Sequence, residues 1–239
     1  MLLVRSWNVF HGNTSPPSRR AYLEEMMRLA AEGEPDVLCL QELPLWATHR
    51  LAKWSGMRVL ADIARRQRLP PPLDRRLTTL NSGLFRSLFT GQANAILLRH
   101  ELAVQERSVF VLNRRRLLGT GAGERRICQI VRVQRPGTGT LVLANLHASH
   151  SARPAQEQVE NAVEHLLELA RPDEPVVLAG DFNFTPDLHH HGFTGEGPGI
   201  DHVLVRGADA GPLVVWPDGR RRLHGMLLSD HAPVERTLT

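Results

Sequence analysis

The chain has 239 residues, of which 42% are hydrophobic and 23% charged, the composition of an ordinary globular protein that can bury its own core. No stretch approaches the ~20 consecutive apolar residues that cross a bilayer, which excludes a helical membrane span at the level of the sequence. The net charge is +4, and no segment has the character of a linker, so we expect a single domain over residues 1–239.

The first part of the chain has the pattern of a βαβ unit. A strand is predicted over LLVRSWNVF, followed by a helix over SRRAYLEEMMRLAAEG that Ser18 caps and Gly33 ends. A second strand is predicted over PDVLCLQEL, whose continuous apolar run is typical of a strand covered on both faces. Residues 43–60 mix helical and extended patterns. Residues 61–90 are rich in helix breakers and predict a long loop with some helix that contacts substrate.

The second part of the chain is rich in strands. Two are predicted over QANAILLR and LAVQERSVFVLN, and a hairpin joins RRICQIVRVQR to TLVLANLH through the turn PGTG. An amphipathic helix over RPAQEQVENAVEHLLELA leads to a strand over PVVLAG, and short strands follow over IDHVLV, GPLVVW and APVERTL. The run His189–His191 predicts a flexible surface loop, with a transition-metal site as the alternative.

The N-terminal residues and the cysteines bear on the compartment. The apolar part of MLLVRSWNVF is too short for a signal peptide and is not followed by a small-residue cleavage site. Cys39 and Cys128 lie in apolar or alternating runs and have no CxxC partner, so we expect buried, reduced thiols. Both features favour a cytoplasmic protein.

Arginine supplies most of the positive charge, since Lys53 is the sole lysine and the isoelectric point is about 10.0. The arginines cluster at 65–66, 75–76, 114–116, 125–126 and 220–222. Guanidinium groups match the geometry of phosphate, so these clusters could form a face for a polyanion. Solvated turns explain them equally well, and the sequence leaves both interpretations open.

Chemically active side chains stand at the ends of several apolar runs. They are Asn8, Glu42, Asn145, His147, Asp181, Asn183, Asp201, Asp230 and His231. Residues two apart on an extended segment face the same way, so Asn145 with His147, and Asp181 with Asn183, can each address one spot. Taken singly, Asn8, Asn145 and Asp201 are explained as turn formers or caps, Asp230 with His231 as a turn pair and His147 as a core histidine. Glu42 after a buried strand is less easily explained in this way. Their joint placement instead predicts one site beyond the strand ends.

The chemistry of this set predicts a metal-dependent hydrolase. Packed carboxylates repel one another unless a cation or a histidine compensates. Hard oxygen ligands without thiolates suit Mg²⁺ or Mn²⁺, and a few carboxylates around such an ion are typical of phosphoryl hydrolysis.

Seven short motifs in order, WNVFHG, LQE, GQANAIL, NLH, GDFN, IDHVLV and SDHAPV, resemble the endonuclease/exonuclease/phosphatase superfamily, the DNase I-like proteins. The match covers nearly the whole chain. The resemblance implies a four-layer α/β/β/α sandwich in which two mixed sheets pack face to face with helices outside.

Motif by motif, the resemblance implies metal ligands at Asn8, Glu42 and Asp230. It implies catalytic roles at His147, Asp181, Asn183, Asp201 and His231. In this scheme Asp181 orients or deprotonates the attacking water, and His231, paired with Asp201, contacts the scissile phosphate. His147 contacts the phosphate or assists the leaving oxygen. We add Asn145 and Arg126 as candidate substrate contacts.

The sequence lacks features that are typical of some groups of this superfamily, and these differences reduce the number of candidate substrates. Abasic-site endonucleases of the family use an active-site tyrosine, whereas the one tyrosine here, Tyr22, falls in the first predicted helix. The motifs of inositol polyphosphate 5-phosphatases are missing. We therefore expect a nuclease that acts on DNA or RNA with Mg²⁺ or Mn²⁺, and alternatively an enzyme for a small phosphorylated metabolite or lipid headgroup. A non-catalytic binding protein is the third hypothesis, and the intact residue set disfavours it. The oligomeric state stays open.

Overall fold

Two β-sheets packed face to face form the centre of the protein in a computed structural model that describes residues 1–66, 90–113, 125–137 and 139–239. The strands of the described ranges are, in chain order, β1 (Leu2–Asn8), β2 (Thr14–Ser15), β3 (Val37–Leu43), β4 (Arg58–Arg65), β5 (Gln92–Leu98), β6 (Ala103–Val111), β7 (Ile127–Arg135), β8 (Gly139–His147), β9 (Val176–Asp181), β10 (Asp201–Arg206), β11 (Val214–Val215), β12 (Arg222–Leu223), β13 (Met226–Leu228) and β14 (Val234–Leu238). The α-helices described are α1 (Leu23–Ala31), α2 (Leu51–Ser55) and α3 (Ala152–Leu169). Short 3-10 turns cover Phe10–Gly12, Leu45–Arg50, His189–His191 and Asp218–Arg221.

Both large sheets are mixed. The larger has the strand order β11-β14-β1-β3-β5-β4, and the smaller has the order β10-β9-β8-β7-β6. The pairs β1–β3 and β8–β9 are parallel, and the other pairs of these two sheets are antiparallel. A parallel pair needs a crossover connection, which α1 and α3 supply. The predicted βαβ unit and the predicted hairpin β7–β8 are therefore confirmed. A third, small sheet has the strand order β12-β13-β2.

Three apolar clusters define the four layers. The cluster between the sheets joins residues such as Cys39 and Ile96 of the larger sheet to Leu143 and Ala179 of the smaller. The second packs α3 on the outer face of the smaller sheet, and the third packs α1 and α2 on the outer face of the larger. Strand β8 shows the alternation that makes this possible, because Leu143 faces the inner cluster while its neighbours face α3. The expected α/β/β/α sandwich is confirmed.

The start of the first helix was predicted wrongly. Helix α1 begins at Leu23, with Tyr22 at the capping position, rather than after Ser18. The backbone N–H of Ser18 donates instead to the side chain of Asn13, and the N–H of Tyr22 donates to the carbonyl of Gly12. These bonds hold residues 13–22 as a connection, so the helical turn starts later than the Ser18 signal suggests.

The structure agrees with some of the other expectations and differs from one of them. The segment expected to be a loop over 61–90 begins as strand, since β4 runs to Arg65, and residues 67–89 lie outside the described ranges. The arginines at 75–76 and 114–116 also lie outside them. Both cysteines are buried free thiols, as expected. Among the described residues, no helix is both long and apolar enough to cross a membrane.

Candidate active site

The ends of adjacent strands bring the predicted residues together. In the smaller sheet, His147 on β8 pairs in register with Asp181 on β9, which pairs in turn with Asp201 on β10. Neighbouring strands lie about 4.8 Å apart, so these three side chains form a row. In the larger sheet, Asn8 ends β1 beside the Gln41 position of β3. The side-chain amide of Asn8 donates to Asp181 Oδ2 at 2.9 Å, which links the two sheets where both end.

Gly180 explains why an apolar strand can deliver a carboxylate here. Its φ is 144°, and a Cβ at this position would lie 2.0 Å from the carbonyl oxygen of Leu146 on β8. Only glycine allows the two strands to approach so closely just before Asp181. The Asp181 carboxylate is fully buried and accepts a second hydrogen bond, at Oδ1, from the backbone N–H of Asn183 at 3.0 Å.

Unusual backbone conformations concentrate around this cleft. Positive φ angles occur at His11 (52°), Glu42 (55°), Asn183 (59°) and Ser229 (64°), all non-glycine residues. At Glu42 the pairing of β3 with β5 also shifts register, between Leu40 and Leu43. Irregularities of this kind turn a side chain out of the sheet and are common beside active sites. The turn places the Glu42 carboxylate in the cleft rather than in the core.

Glu42 has the surroundings of a metal ligand. Its carboxylate oxygens lie 3.5 Å from His11 Nε2 and 3.7 Å from His147 Nε2. Burial raises its pKa, the charge of Asp181 raises it further, and Arg126 and His231 oppose the rise, so that the pKa of Glu42 is about 7. A divalent cation would offset both the burial and the repulsion, which is the chemistry that a hard-oxygen site provides.

The neighbouring ligand types fit such a cation. Two groups of side chains hold their ligand atoms within 4.8 Å of one another, Glu42 with His147 and His150, and Asp181 with Asp201 and His231. Asp230 is exposed beside them, and its charge acts on Glu42, Asp201 and His231. Imidazoles are the nearest groups to Glu42, and Asp181, Asp201 and Asp230 add carboxylate oxygens of the kind that suit Mg²⁺ or Mn²⁺.

His231 is built to carry a positive charge. Its Nδ1 lies 2.7 Å from Asp201 Oδ2, and its Nε2 lies 3.8 Å from Asp181 Oδ2. Burial alone would lower the pKa of His231, but the hydrogen bond to Asp201 and the charges of Asp201, Asp181 and Asp230 raise it to about 9. The Trp7 ring N–H donates to the His231 backbone carbonyl at 3.0 Å and fixes its position. The imidazole is therefore protonated at neutral pH.

His147 has the opposite environment. It is 1% exposed, and Arg126 Nη1 lies 2.8 Å and Gln92 Nε2 3.0 Å from its Nδ1. Burial and then the charge of Arg126 lower the pKa of His147 well below its usual value. Arg126 Nη1 also lies 2.9 Å from Nε2, and Asp181 Oδ2 lies 3.5 Å from the same nitrogen, so the ring contacts both the arginine and the carboxylate. His147 is thus a neutral imidazole at the inner wall of the cleft.

Asn183 and Asn145 differ in their burial and in their hydrogen-bond partners. Asn183 donates from its amide to the carbonyl of Ala148 at 3.0 Å, while its Oδ1 lies 3.0 Å from His150 Nδ1 at the exposed side. Asn145 is fully buried between the sheets. Its amide bonds to the carbonyls of Leu40 and Ala95 and to the side chains of Gln129 and Gln41. Substrate contact by Asn145 stays a prediction, and this geometry favours a structural role.

Sequence reasoning missed several residues of the cleft. They are Trp7, His11, Gln92, His150 and Ser229. Four of them stand inside the quoted motifs, Trp7 and His11 in WNVFHG, Gln92 in GQANAIL and Ser229 in SDHAPV, and His150 follows NLH by three residues. The motifs did not indicate the contacts of these residues, such as the donation from the Ser229 hydroxyl to the carbonyl of Asn8 at 2.7 Å, which joins positions 221 residues apart.

Several solved structures have a fold similar to that of this chain. A conserved protein of unknown function from Enterococcus faecalis has 17% identity and a TM-score of 0.76, covering 100% of this chain and 99% of that one. A mannosyl-6-phosphatase from Bacteroides thetaiotaomicron has 18% identity and a TM-score of 0.74, covering 100% of both chains. TDP2 of D. rerio, humanized by 14 mutations, has 19% identity and a TM-score of 0.72, covering 100% and 98%. Identities this low show a shared fold.

Sequence comparison is more specific than shape. No curated protein matches the chain significantly. The family model described as Endonuclease/Exonuclease/phosphatase family matches residues 6–231. That range contains every predicted catalytic residue and metal ligand. The chain belongs to the endonuclease/exonuclease/phosphatase family.

Proposed function

We propose that the protein is a Mg²⁺- or Mn²⁺-dependent phosphoric ester hydrolase that cleaves phosphodiester bonds of nucleic acid. The observation that carries the proposal is the position of the buried Asp181 carboxylate, bonded to Asn8 and lying 3.5 Å and 3.8 Å from the ring nitrogens of His147 and His231. The cleft therefore places three groups next to one another: the Asp181 carboxylate, the neutral imidazole of His147 and the charged imidazole of His231. Hydrolysis of a phosphate ester requires a base for water, a cation for the phosphate oxygens and help for the leaving oxygen.

Asp181 is the group suited to orient the attacking water and to take up its proton. Asn8 and the backbone N–H of Asn183 hold the two carboxylate oxygens in fixed directions. A fixed carboxylate directs a water without the entropic cost of ordering its own side chain during the reaction. General base help of this type contributes typically ~10²–10⁴-fold to a rate.

His231 and Arg126 supply the positive charge that the phosphate needs, and His147 lies beside them. His231, protonated through its pairing with Asp201, is suited to contact a non-bridging oxygen on which negative charge develops. His147 adds a neutral imidazole beside Asp181, and Arg126 brings a positive charge into contact with it. Preorganised electrostatic stabilisation of this kind usually contributes more to catalysis than any other single effect.

The metal-ligand set in this proposal is Glu42, Asn8 and Asp230. A bound divalent cation would neutralise phosphate oxygens and activate water. Glu42 is the principal ligand because its buried carboxylate, flanked by Asp181, is costly to ionise on its own. Asp230, exposed at the mouth of the cleft, can approach the ion from the solvent side.

The basic character of the chain supports a nucleic acid substrate. The isoelectric point is about 10.0, and Arg126 lies inside the cleft. Phosphate contacts by arginine give nucleic acid binding its affinity and its dependence on salt. We therefore take a polynucleotide as the first substrate class.

A second candidate substrate is a small phosphorylated molecule. The arginines at 220–222 favour it, because they are engaged in local contacts and so form less of a surface for a long polyanion. Arg221 is buried and donates to the carbonyls of Leu228 and Ser229, so it holds the loop that carries His231. Arg220 stacks on Trp216 at 3.4 Å. Arg220 and Arg222 are both exposed, but Arg220 also pairs with Glu235 at 3.7 Å, and the guanidinium of Arg222 donates to the local carbonyl of Gly225. The cluster therefore offers less of a polyanion face than its sequence suggests.

The experiment is a substrate panel with Mg²⁺ or Mn²⁺. It contains plasmid DNA, single-stranded DNA, RNA, an abasic duplex, sugar and inositol phosphates, and a phospholipid. We expect hydrolysis of polynucleotides that weakens steeply with added salt. Asp181→Asn tests the cleft, and Asp209→Asn, which makes the same change at an exposed carboxylate beyond the other end of β10, is the control. Preference for a small phosphate ester selects the second candidate, and an inactive panel contradicts the proposal.

A further inference from the structure

A second group of metal-ligand side chains lies outside the cleft, where the turn His189–His191 packs against helix α3. The group consists of Glu160 on the helix and His190 and His191 on the turn. It shares no residue with the catalytic set. The turn belongs to the connection between β9 and β10, which begins just after Asp181 and ends at Asp201.

The ligand atoms of this group converge. His191 Nε2 lies 2.8 Å from Glu160 Oε2, His190 Nε2 lies 3.8 Å from Glu160 Oε1, and all three ligand atoms lie within 4.8 Å of one another. Zinc binds imidazole nitrogen and carboxylate oxygen at about 2.0–2.2 Å, so tetrahedral ligands stand roughly 3.4 Å apart. Small rotamer adjustments therefore convert the observed arrangement into three ligands of one ion.

The segment expected as a flexible surface loop is a 3-10 turn whose two ends are anchored in the core. Leu188 before it and Phe193 after it are 1% and 0% exposed and belong to the core that packs on α3. The N–H groups of His191 and Phe193 both donate to the carbonyl of Leu188. The N–H of Gly192, at a φ of 79°, donates to the carbonyl of His189 and closes the turn. Binding an ion here costs little ordering of the backbone.

The site is open to solvent. Glu160 and His190 have side chains 44% and 58% exposed, and His191 is 24% exposed. Two imidazoles and one carboxylate form the ligand set of an open zinc site, which leaves a fourth position for water. Imidazole ligands favour borderline transition cations over Mg²⁺ or Ca²⁺.

We propose that Glu160, His190 and His191 bind one Zn²⁺-like transition cation, separate from the cation of the catalytic cleft. The bound ion joins the β9–β10 connection to the middle of α3. Because this connection runs from the Asp181 region to Asp201, the ion braces the backbone on which both residues of the cleft depend.

The test is Zn²⁺ binding to untagged protein, measured by isothermal titration calorimetry in excess Mg²⁺. We expect one equivalent of Zn²⁺ that depends on this cluster. His190→Ala combined with His191→Ala, and separately Glu160→Gln, should each weaken this binding at least ~10-fold, the lower limit seen even for groups that only support a metal ligand. Hydrogen exchange should show that Zn²⁺ slows exchange in residues 185–200 of the wild type and not of these variants.

Two controls separate the site from other histidines and from the cleft. His165 is an exposed histidine on the same helix, and it pairs with a single carboxylate, that of Glu168. His165→Asn should therefore leave the binding of one equivalent of Zn²⁺ unchanged. Glu42→Gln alters the cleft and should also leave it in place. The proposal is overturned if Zn²⁺ binding is unchanged in Glu160→Gln, or if Glu42→Gln alone removes all binding.

Discussion

Replacement of Asp201 by asparagine should lower the pKa of His231 by about two units. The Asp201 carboxylate lies 2.7 Å from His231 Nδ1 and is the strongest of the groups that raise this pKa from 6.5 to about 9. The difference corresponds to roughly 3 kcal/mol in favour of the charged imidazole. Burial acts in the opposite direction, so without Asp201 only Asp181 and Asp230 oppose it. The pKa then returns to the ordinary range of histidine or falls below it.

The assay is a pH titration of the imidazole signals of the metal-free protein by NMR. In the wild type His231 should stay charged through neutral pH and lose its proton near pH 9. In Asp201→Asn it should lose the proton near or below pH 7. If the charged form is needed for turnover, kcat/KM of the variant should decline as the pH rises above about 7, whereas the wild type keeps its activity until His231 deprotonates.

Asp209→Asn is the matched control, because it removes an exposed carboxylate beyond the far end of β10 and should leave the titration of His231 where it is. The reasoning is refuted if His231 of the wild type titrates near 6.5. It is refuted equally if His231 still titrates near 9 after the Asp201 carboxylate has been removed.

Three further outcomes are expected. Excess EDTA should abolish hydrolysis of the best substrate in the panel and Mg²⁺ or Mn²⁺ should restore it, and full turnover in EDTA would contradict metal dependence. Glu42→Ala and Asp181→Asn should each reduce kcat by at least ~10²-fold, the low end of such effects, so activity near wild type in either variant removes that assignment. Asn145→Ala should lower the free energy of unfolding by about 2–4 kcal/mol, because it leaves buried partners on both sheets unpaired. Urea unfolding measures this, with Asn161→Ala on α3 as the control, and an unchanged midpoint would show that the amide does not stabilise the sandwich.

The strands and the main helices could be predicted because their signals are local. The alternation of apolar residues in the β7–β8 hairpin and the helical period of α3 each depend on neighbours within a few positions. The start of α1 could not be predicted, since the bonds that hold residues 13–22 as a connection, such as that from the Ser18 backbone N–H to the Asn13 side chain, are made outside the helix. The placement of the site at strand ends also followed from the sequence, because each apolar run ends in a polar residue.

The depth of each polar residue could not be read from the same pattern. Asn145 and His147 are two apart on β8 and face the same side, as alternation predicts, but Asn145 lies one step farther into the layer between the sheets. Asp181 and Asn183 do not share an extended segment, because β9 ends at Asp181 and Asn183 has a φ of 59°. The alternation rule is valid only where the strand continues.

The protonation of the two histidines is decided entirely by the fold. His147 and His231 lie at nearly the same distance from Asp181, 3.5 Å and 3.8 Å, yet their pKa values shift in opposite directions. Burial beside Arg126 keeps the first neutral, and pairing with Asp201 keeps the second charged. A cleft with two charged imidazoles would repel the cation that we propose Glu42 binds, and one with two neutral imidazoles would leave the Asp181 carboxylate without a charged partner. One neutral and one charged imidazole avoid both problems. Arg126, which keeps His147 neutral, and Asp201, which keeps His231 charged, therefore matter as much as the histidines themselves.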